Sequence, residues 1–354
     1  MRRLALLALV PLAAGCGHRA HTGVKMLHLP YPVASLSADG TRVAVGPAQH
    51  SPQLALKTPP FVLWDPRTGH VDRFSGHGCA EPWGTTLAGR RIAFVCENSC
   101  CDTVEQSVVL LRTGRPRVVL FHGRNGPKTI RQGRFVEGIA GSGNLIVFSI
   151  GVADVRGRVA LRTLLRVDGT HTTPIRHGRI VDPEDVLEGR VAVRDDRGAV
   201  LVLDGEGKVL RRPVLGAAPV QSQLFAENIP HRALVFDGRV LLVRRELDTL
   251  ETDQGHLPYL ALAPGGSIGG GVGGLVVYVT ADGVHVLRTS DAREVVFGLG
   301  DGAPAAADLT PAGLYYASNR TGLWRDPAQA QGKYRNPSRV VFVPMREVLG
   351  RLGR

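Results

Sequence analysis

Short apolar runs alternate with turn residues along almost the whole chain. The pair Asp39-Gly40 leads into the run Arg42–Val45, and Leu165–Thr170 (LRVDGT) repeats the same order of strand and turn. Asp tolerates left-handed backbone conformations and Gly supplies positive φ angles, so such pairs mark hairpin turns. Only Met345–Leu352 has the spacing of an amphipathic helix. The pattern predicts an all-β chain that ends in a short helix within residues 345–354.

The strand-and-turn unit recurs at the spacing of propeller blades. The units are separated by roughly 36 to 53 residues, which is in the range of blade repeats. They begin near Val33, Pro82, Phe135, Ile180, His231, Ser267 and Ala305. The spacing predicts a single β-propeller over residues 24–344, with seven four-stranded blades.

The last unit is one strand short. It offers the strands Ala305–Leu309, Gly313–Ser318 and Arg339–Pro344, and Val24–Leu29 supplies a candidate for the fourth. Pairing both ends of the chain in one blade closes the ring and removes exposed sheet edges. The alternative is that Val24–Leu29 is a free edge strand in an open array of sheets.

One unit carries a recognisable signature. Leu63–His70 reads LWDPRTGH, and its Trp64-Asp65 pair resembles the WD40 and quinoprotein-like propeller superfamilies. The resemblance covers residues 24–344 and implies the propeller fold. Most units lack both the Gly-His and the Trp-Asp signatures, so no activity is carried over from either superfamily.

The first sixteen residues have the layout of an export signal. Arg2 and Arg3 precede the uncharged stretch Leu4–Ala14, which is too short to span a membrane as a stable helix. Small residues then lead to Cys16, an order that resembles the bacterial lipoprotein signal, although Ala13 stands where Leu is usual. The resemblance implies removal of residues 1–15, lipidation of Cys16 and a tether over residues 16–23. It places the protein on the extracytoplasmic face of the membrane; the alternative is an ordinary secretory signal with a chance Cys.

The charge points to few partners. The formal net charge is +12, from 43 Lys and Arg against 31 Asp and Glu. The basic residues are scattered singly, and no basic run is interleaved with aromatic residues, as nucleic-acid binding requires. The sequence therefore predicts no nucleic-acid partner and a membrane contact through the lipid at Cys16. A hydrophobic content of 44% excludes wholesale disorder.

Four further cysteines lie close together in the sequence: Cys79, Cys96, Cys100 and Cys101. An even number in an exported chain predicts disulfides, while a zinc site and a redox-active pair are alternatives. The CxxC pairs typical of zinc sites are absent from the sequence, so no metal is predicted. Adjacent cysteines also occur as a vicinal disulfide in some quinoprotein dehydrogenases, but this chain has three Trp and lacks their repeated docking motifs.

Two glycine-rich motifs resemble catalytic or cofactor sites. Gly265–Gly269 matches G-x-S-x-G, and Gly269–Gly274 matches a dinucleotide fingerprint. Both chemistries need a helix after the motif, whereas Leu275–Val279 reads as a strand. The sequence therefore predicts neither a catalytic residue nor a cofactor.

The predicted working surface is one face of the propeller. With the strands of a blade named A to D from the axis outward, B–C loops and D-to-A passages emerge on the same face. We predict long B–C loops at Gly46–Pro60, Glu97–Gln106 and Asn319–Ser338, in three adjacent blades. Aromatic and charged residues dominate binding surfaces. The candidate contacts are Lys57, Trp324, Asp326, Lys333, Tyr334 and Arg335.

Three functions fit this outline. The first is a non-enzymatic, membrane-anchored scaffold that presents loops to a protein, peptide or glycan. The second is a propeller enzyme, similar to quinoprotein dehydrogenases or lactonases, with carboxylates or His converging on the central channel. The third is an envelope-assembly lipoprotein with a broad groove. The absence of a coherent catalytic set in the sequence favours the first.

Overall fold

The structure is a computed structural model. It describes residues 23–48, 58–100, 103–125, 133–153, 159–178, 180–195, 200–212, 231–236, 239–244, 249–252, 260–261, 267–300, 302–320 and 337–353. For residues 231–261, and at the ends of several other strands, only the backbone is described.

The described strands pair into four-stranded antiparallel sheets, built from consecutive hairpins except that β1 supplies the outer strand of the last sheet. The chain begins with β1 (Lys25–Leu29). Blade one comprises β2 (Val33–Asp39), β3 (Arg42–Pro47), β4 (Phe61–Asp65) and β5 (His70–Phe74). Blade two comprises β6 (Glu81–Ala88), β7 (Arg91–Cys100), β8 (Thr103–Arg112) and β9 (Val118–Asn125).

The middle of the chain continues the same up-and-down order. Blade three comprises β10 (Arg134–Ser142), β11 (Leu145–Ala153), β12 (Val159–Asp168) and β13 (His171–Gly178). Blade four comprises β14 (Ile180–Leu187), β15 (Arg190–Asp195), β16 (Val200–Asp204) and β17 (Val209–Arg211). The backbone sheet comprises β18 (His231–Phe236), β19 (Arg239–Arg244), β20 (Thr249–Thr252) and β21 (Leu260–Ala261).

Two blades and a helix complete the described chain. The penultimate blade comprises β22 (Ser267–Val272), β23 (Leu275–Val279), β24 (Val284–Arg288) and β25 (Glu294–Phe297). The closing blade comprises β26 (Gly302–Thr310), β27 (Gly313–Arg320), β28 (Ser338–Pro344) and β1, and helix α1 (Met345–Leu352) follows it.

The first strand of each sheet lies at the propeller axis. The inner strands β2, β6, β10, β14, β18, β22 and β26 contact one another in succession, and β26 contacts β2 again. This ring of inner strands confirms the predicted β-propeller fold.

The prediction of seven four-stranded blades is wrong. Six four-stranded blades are described with their side chains and packing, whereas β18–β21 are described by backbone pairing alone. The strands of the backbone sheet also shorten outward, from six residues in β18 to two in β21. A two-residue outer strand makes few ladder hydrogen bonds, so this sheet is not counted as a blade like the other six.

The ring is closed by strands from both ends of the chain. β1 pairs antiparallel with β28, from Lys25 opposite Phe342 to Leu29 opposite Ser338. Leu29 is only 1% exposed and packs in the cluster between the closing blade and blade one. The N-terminal strand is therefore part of the closing blade, and the open array is excluded.

Helix α1 covers the junction of the last two blades. Val348 and Leu352, four residues apart on one helix face, are buried in the cluster shared by those blades. The Arg351 guanidinium lies 4.8 Å from the centre of the Phe297 ring, which belongs to β25. Among the described residues, no helix is both long and apolar enough to cross a bilayer.

Candidate functional site

The predicted working face is only partly within the described residues. Of the candidate contacts, Lys57 and the residues from Trp324 to Arg335 lie outside them, as do Cys16 and Cys101. Cys100 is described by its backbone at the end of β7. The site is therefore built from the segments that flank these positions.

The prediction of a long loop at Glu97–Gln106 is wrong. These residues continue the β7–β8 hairpin, with Glu97 opposite Gln106 and the ladder running out to Cys100 opposite Thr103. The polar residues after Cys96 suggested a loop, but they are polar because the hairpin projects beyond the hydrophobic core. Both strands are ten residues long, compared with six and five for β3 and β4 of blade one.

A disulfide joins the base of this hairpin to the passage from blade one. Cys79 and Cys96 are bonded, with Cα atoms 5.4 Å apart. Both residues are buried, at 2% and 6% exposure. Two of the four candidate cysteines are thus brought together, and the bond ties the D-to-A passage to strand B of blade two.

Hydrogen bonds brace the same place. The Ala80 N–H donates to Oδ1 of Asn98 at 2.7 Å, and Nδ2 of Asn98 donates to the Gly78 carbonyl at 3.3 Å. The Thr58 hydroxyl, near the end of the blade-one B–C connection, donates to the Cys79 carbonyl. The structure therefore brings together parts of the blade-one connection, the passage between blades and the blade-two hairpin; we call this region the braced hairpin base.

The hairpin is also held from the other side. Gln106 donates from Nε2 to Oε2 of Glu97 at 2.8 Å, and its Oε1 accepts the Val136 N–H at 2.7 Å. Gln106 is 9% exposed, so these are sheltered bonds. They fix the direction of the hairpin relative to the inner strand of blade three.

Carboxylates are the charged groups among the described side chains of the central channel. A cavity of about 350 Å³ is lined by inner-strand residues, and its described lining includes Asp39, Glu184, Asp185 and Asp308 and no Lys, Arg or His. Sequence reasoning picked out none of these carboxylates, although Asp39 was recognised as a turn residue. The signal that was available is their shared position on the first strand of different units.

Two of the channel carboxylates hold blades together. Oδ2 of Asp39 accepts the N–H groups of Gly89 and Gly143 at 2.5 and 3.0 Å, in the A–B turns of the next two blades. Oδ2 of Asp308 accepts the Ala38 N–H at 2.6 Å, across the junction of the closing blade and blade one. These bonds give Asp39 and Asp308 a structural role: Asp39 joins blades one, two and three, and Asp308 joins the closing blade to blade one.

A second polar cluster, which the sequence did not predict, surrounds a buried histidine in the penultimate blade. His285 is 4% exposed, with Nε2 2.8 Å from the Thr280 hydroxyl and 3.2 Å from Oδ1 of Asp282. Its Nδ1 lies 3.2 Å from Oε1 of Glu294, and its ring stacks on Tyr278 at 4.6 Å. Hydrogen bonds from Thr280 and His285 hold the pKa of the Asp282 carboxyl below its ordinary value.

The glycine-rich motifs have a structural explanation. Ser267 lies in strand β22, opposite Val279, so it does not stand on the strand-to-helix turn that a nucleophile elbow requires. A Cβ at Gly269 would collide with the Ala307 carbonyl oxygen of the neighbouring inner strand. Gly269 and Gly270 allow the inner strands β22 and β26 to approach closely, and Gly273 and Gly274 lie in the turn between β22 and β23. Among the described residues, no group of three or more His, Cys, Asp or Glu is arranged to hold a metal ion.

Comparison with known proteins supports the fold of this chain but does not assign it to a family. No protein-family model matches the chain, and no curated protein matches it. The β-propeller domain of Cps50 (Swd1) from Myceliophteria thermophila superposes with a TM-score of 0.50 at 10% identity, over 89% of this chain and 98% of that one. The likeness supports the β-propeller fold.

Two other solved structures are less similar. The computationally designed Ika8 protein matches with a TM-score of 0.44 at 12% identity, over 89% of this chain and 97% of that one. The acylaminoacyl peptidase of Pyrococcus horikoshii matches with a TM-score of 0.44 at 11% identity, over 79% of this chain and 48% of that one.

Proposed function

We propose that this chain is a non-enzymatic binding scaffold, anchored on the extracytoplasmic face of the membrane by a lipid at Cys16. The scaffold presents the B–C face of the propeller to a protein, peptide or glycan. The observation that carries the proposal is the braced hairpin base, where a disulfide and the Asn98 side chain fix a projecting hairpin. A rigidly held projection loses little conformational entropy on binding, which favours recognition.

The position of the hairpin supports the same role. It emerges beside the blade-one B–C connection, whose described end at Thr58 is bonded to the Cys79 carbonyl. The predicted contact Lys57 immediately precedes Thr58 in the sequence. A partner that contacts the hairpin is therefore within reach of that connection.

The test is to shorten the hairpin without disturbing its base. Replacing Ser99–Val104 with the dipeptide Asn-Gly keeps the pairs Glu97 with Gln106 and Asn98 with Glu105. A matched control is Glu188→Asn, which makes an Asn-Gly turn at a site where Glu188 and Gly189 already have φ of 51° and 74°. Tagged proteins are crosslinked in membranes, and the captured partners are quantified by mass spectrometry.

We expect a partner that wild type and the Glu188→Asn control both capture and the shortened hairpin does not. Equal capture by all three would contradict a binding role for the hairpin. Circular dichroism and thermal melting confirm that each variant is folded.

The carboxylates of the central channel favour one alternative, a propeller enzyme that uses them. Glu184 and Asp185 lie on the inner strand of blade four and line the cavity. Wild type and the pair Glu184→Gln, Asp185→Asn are compared on a panel of lactone substrates. Turnover by wild type that the double variant abolishes, with its melting temperature unchanged, would favour the enzyme over the scaffold.

A further inference from the structure

Three arginines, each separated from the next by other residues, lie in one turn at the outer edge of blade two. Arg112–Arg117 reads RTGRPR and forms the C–D turn between β8 and β9. Gly114 in this turn has a φ of 66°, a conformation that glycine adopts without strain. The fold places the turn beside β5, the outer strand of blade one, which contributes Arg73.

These elements enclose a cleft of about 440 Å³ on the rim of the propeller. We call it the arginine cleft. Its charged lining residues are Asp72, Arg73, Arg112, Arg115 and Arg117. Four arginines against one aspartate give the lining a net positive charge, because arginine stays charged at any physiological pH.

The single carboxylate is already engaged. Oδ1 of Asp72 lies 3.0 Å from Nε2 of His70, and its Oδ2 accepts the Thr113 hydroxyl at 2.9 Å. Arg117 donates from Nη1 to the His77 carbonyl at 2.7 Å. Within the described part of the chain, no carboxylate forms an ion pair with any of the four arginines.

Arg112 carries a polar atom without a partner beside the cleft. Its Nε is buried and has no hydrogen-bond partner among the described residues. Its neighbour across the sheet is another arginine, Arg91, whose pKa is lowered chiefly by burial and further by the charge of Arg112. A buried donor without a partner costs free energy, and two neighbouring arginines repel each other, so a nearby anion would stabilise this part of the fold.

We propose that the arginine cleft binds a phosphate-bearing anion. Guanidinium groups match phosphate oxygens with paired, charge-assisted hydrogen bonds, and several arginines around one cavity suit a group that carries more than one negative charge. The phosphate belongs either to a soluble compound or to the headgroup of an anionic lipid. The cleft lies on the rim and meets the passage between the blades where Arg117 bonds the His77 carbonyl. None of its lining residues belongs to the projecting hairpin, so this inference does not rest on the proposed function.

The test measures binding of two probes to the full chain in a neutral detergent. Pyrophosphate represents soluble phosphates, short-chain phosphatidylglycerol represents the lipid headgroup, and short-chain phosphatidylcholine is the neutral comparison. The cleft variant is Arg112→Gln with Arg115→Gln. The control is Arg124→Gln with Arg293→Gln, which removes the same charge from two arginines that are each 58% exposed.

We expect wild type and the control to bind at least one anionic probe and the cleft variant to bind it at least about tenfold more weakly, the effect of losing one or two charged hydrogen bonds. Binding of pyrophosphate identifies a soluble phosphate as the source, and binding of phosphatidylglycerol alone identifies the lipid. The single variant Arg115→Gln, at an exposed position, gives the same reading where the double variant is unfolded. No binding by wild type, or equal weakening in the control, would overturn the proposal.

Discussion

The side-chain amide of Asn319 bonds both backbone groups of Val33, although the two residues are 286 positions apart in sequence. Oδ1 of Asn319 accepts the Val33 N–H at 2.9 Å, and its Nδ2 donates to the Val33 carbonyl at 2.9 Å. Val33 begins the inner strand of blade one, and Asn319 lies in β27 of the closing blade. One amide thus extends the join between the first and last blades.

Removing this amide should loosen the ring. Asn319→Ala leaves both backbone groups of Val33 without partners, which costs about 1–3 kcal/mol of unfolding free energy. Urea denaturation measures the loss. Asn144→Ala is the control, because only the backbone carbonyl of Asn144 makes a described hydrogen bond. A loss of the same size in the control would show that Asn319 has no special role.

The closing strand β1 should contribute as much to the stability of the fold as the Asn319 amide does. Leu29→Ala in β1 removes a side chain that is only 1% exposed, and a buried Leu truncation costs about 2–5 kcal/mol. Met26→Ala, on the same strand but 46% exposed, should cost far less. Thermal melting compares the two variants. Equal melting temperatures would contradict closure by β1.

These closing contacts show how much the sequence could predict. The unit starts at Val33, Ile180, His231 and Ser267 coincide with the first residues of inner strands, because Asp-Gly and similar turns mark hairpins locally. β1 was found because the last unit lacked a strand. The hydrogen bonds between Asn319 and Val33 could not be predicted, since nothing local in the sequence links two residues 286 positions apart.

The errors and omissions have the same physical origin. Glu97–Gln106 is predicted as a long loop, yet its residues continue the β7–β8 ladder, and a hairpin that extends past the core is as polar as a loop. The run RTGRPR was visible in the sequence, but its meaning depends on Arg73, which only the fold brings beside it. Blade packing, not local pattern, creates both the arginine cleft and the group of carboxylates in the central channel.

The disulfide at the braced hairpin base should stabilise the protein in oxidising conditions. Cys79 and Cys96 are 17 positions apart, and closing a loop of this size contributes about 3 kcal/mol. The double variant Cys79→Ser, Cys96→Ser should lose about that much in urea denaturation. Adding a reductant should lower wild type to the same stability and leave the variant unchanged. Wild type that resists the reductant while its thiols become free would contradict the assignment.

Acid should weaken the C–D turn of the penultimate blade. Arg288 donates from Nε and Nη2 to the two carboxylate oxygens of Asp291, at 2.8 and 2.5 Å. This pairing lowers the pKa of Asp291 from its ordinary value of 3.8 to about 2. Since the pKa is depressed in the folded state, the stabilisation is complete above pH 3.8 and is lost as the pH falls towards about 2.

Melting curves between pH 2 and pH 5 test this expectation. Asp291→Asn should melt below wild type at pH 5, and the difference should vanish near the pKa of about 2. Glu188→Gln, at an exposed turn, serves as the control for general acid effects. A difference between wild type and Asp291→Asn that does not change over this range would show that the ion pair does not contribute.

The anchor remains a prediction from the sequence, and Cys16 decides it. Leu4–Ala14 and the small residues after it direct processing in front of Cys16 if the signal is of the lipoprotein kind. Because a single acyl chain holds a protein only marginally, stable attachment needs two or three chains on this residue. Cys16→Ser should therefore leave the signal uncut or release the protein from the membrane. Metabolic labelling with a fatty acid and membrane fractionation measure the two consequences separately.

Cys100→Ser is the matched control, since it removes a thiol outside the signal, and it should keep both label and membrane attachment. A Cys16→Ser protein that is cut and membrane-bound like wild type would show that the attachment comes from another part of the chain.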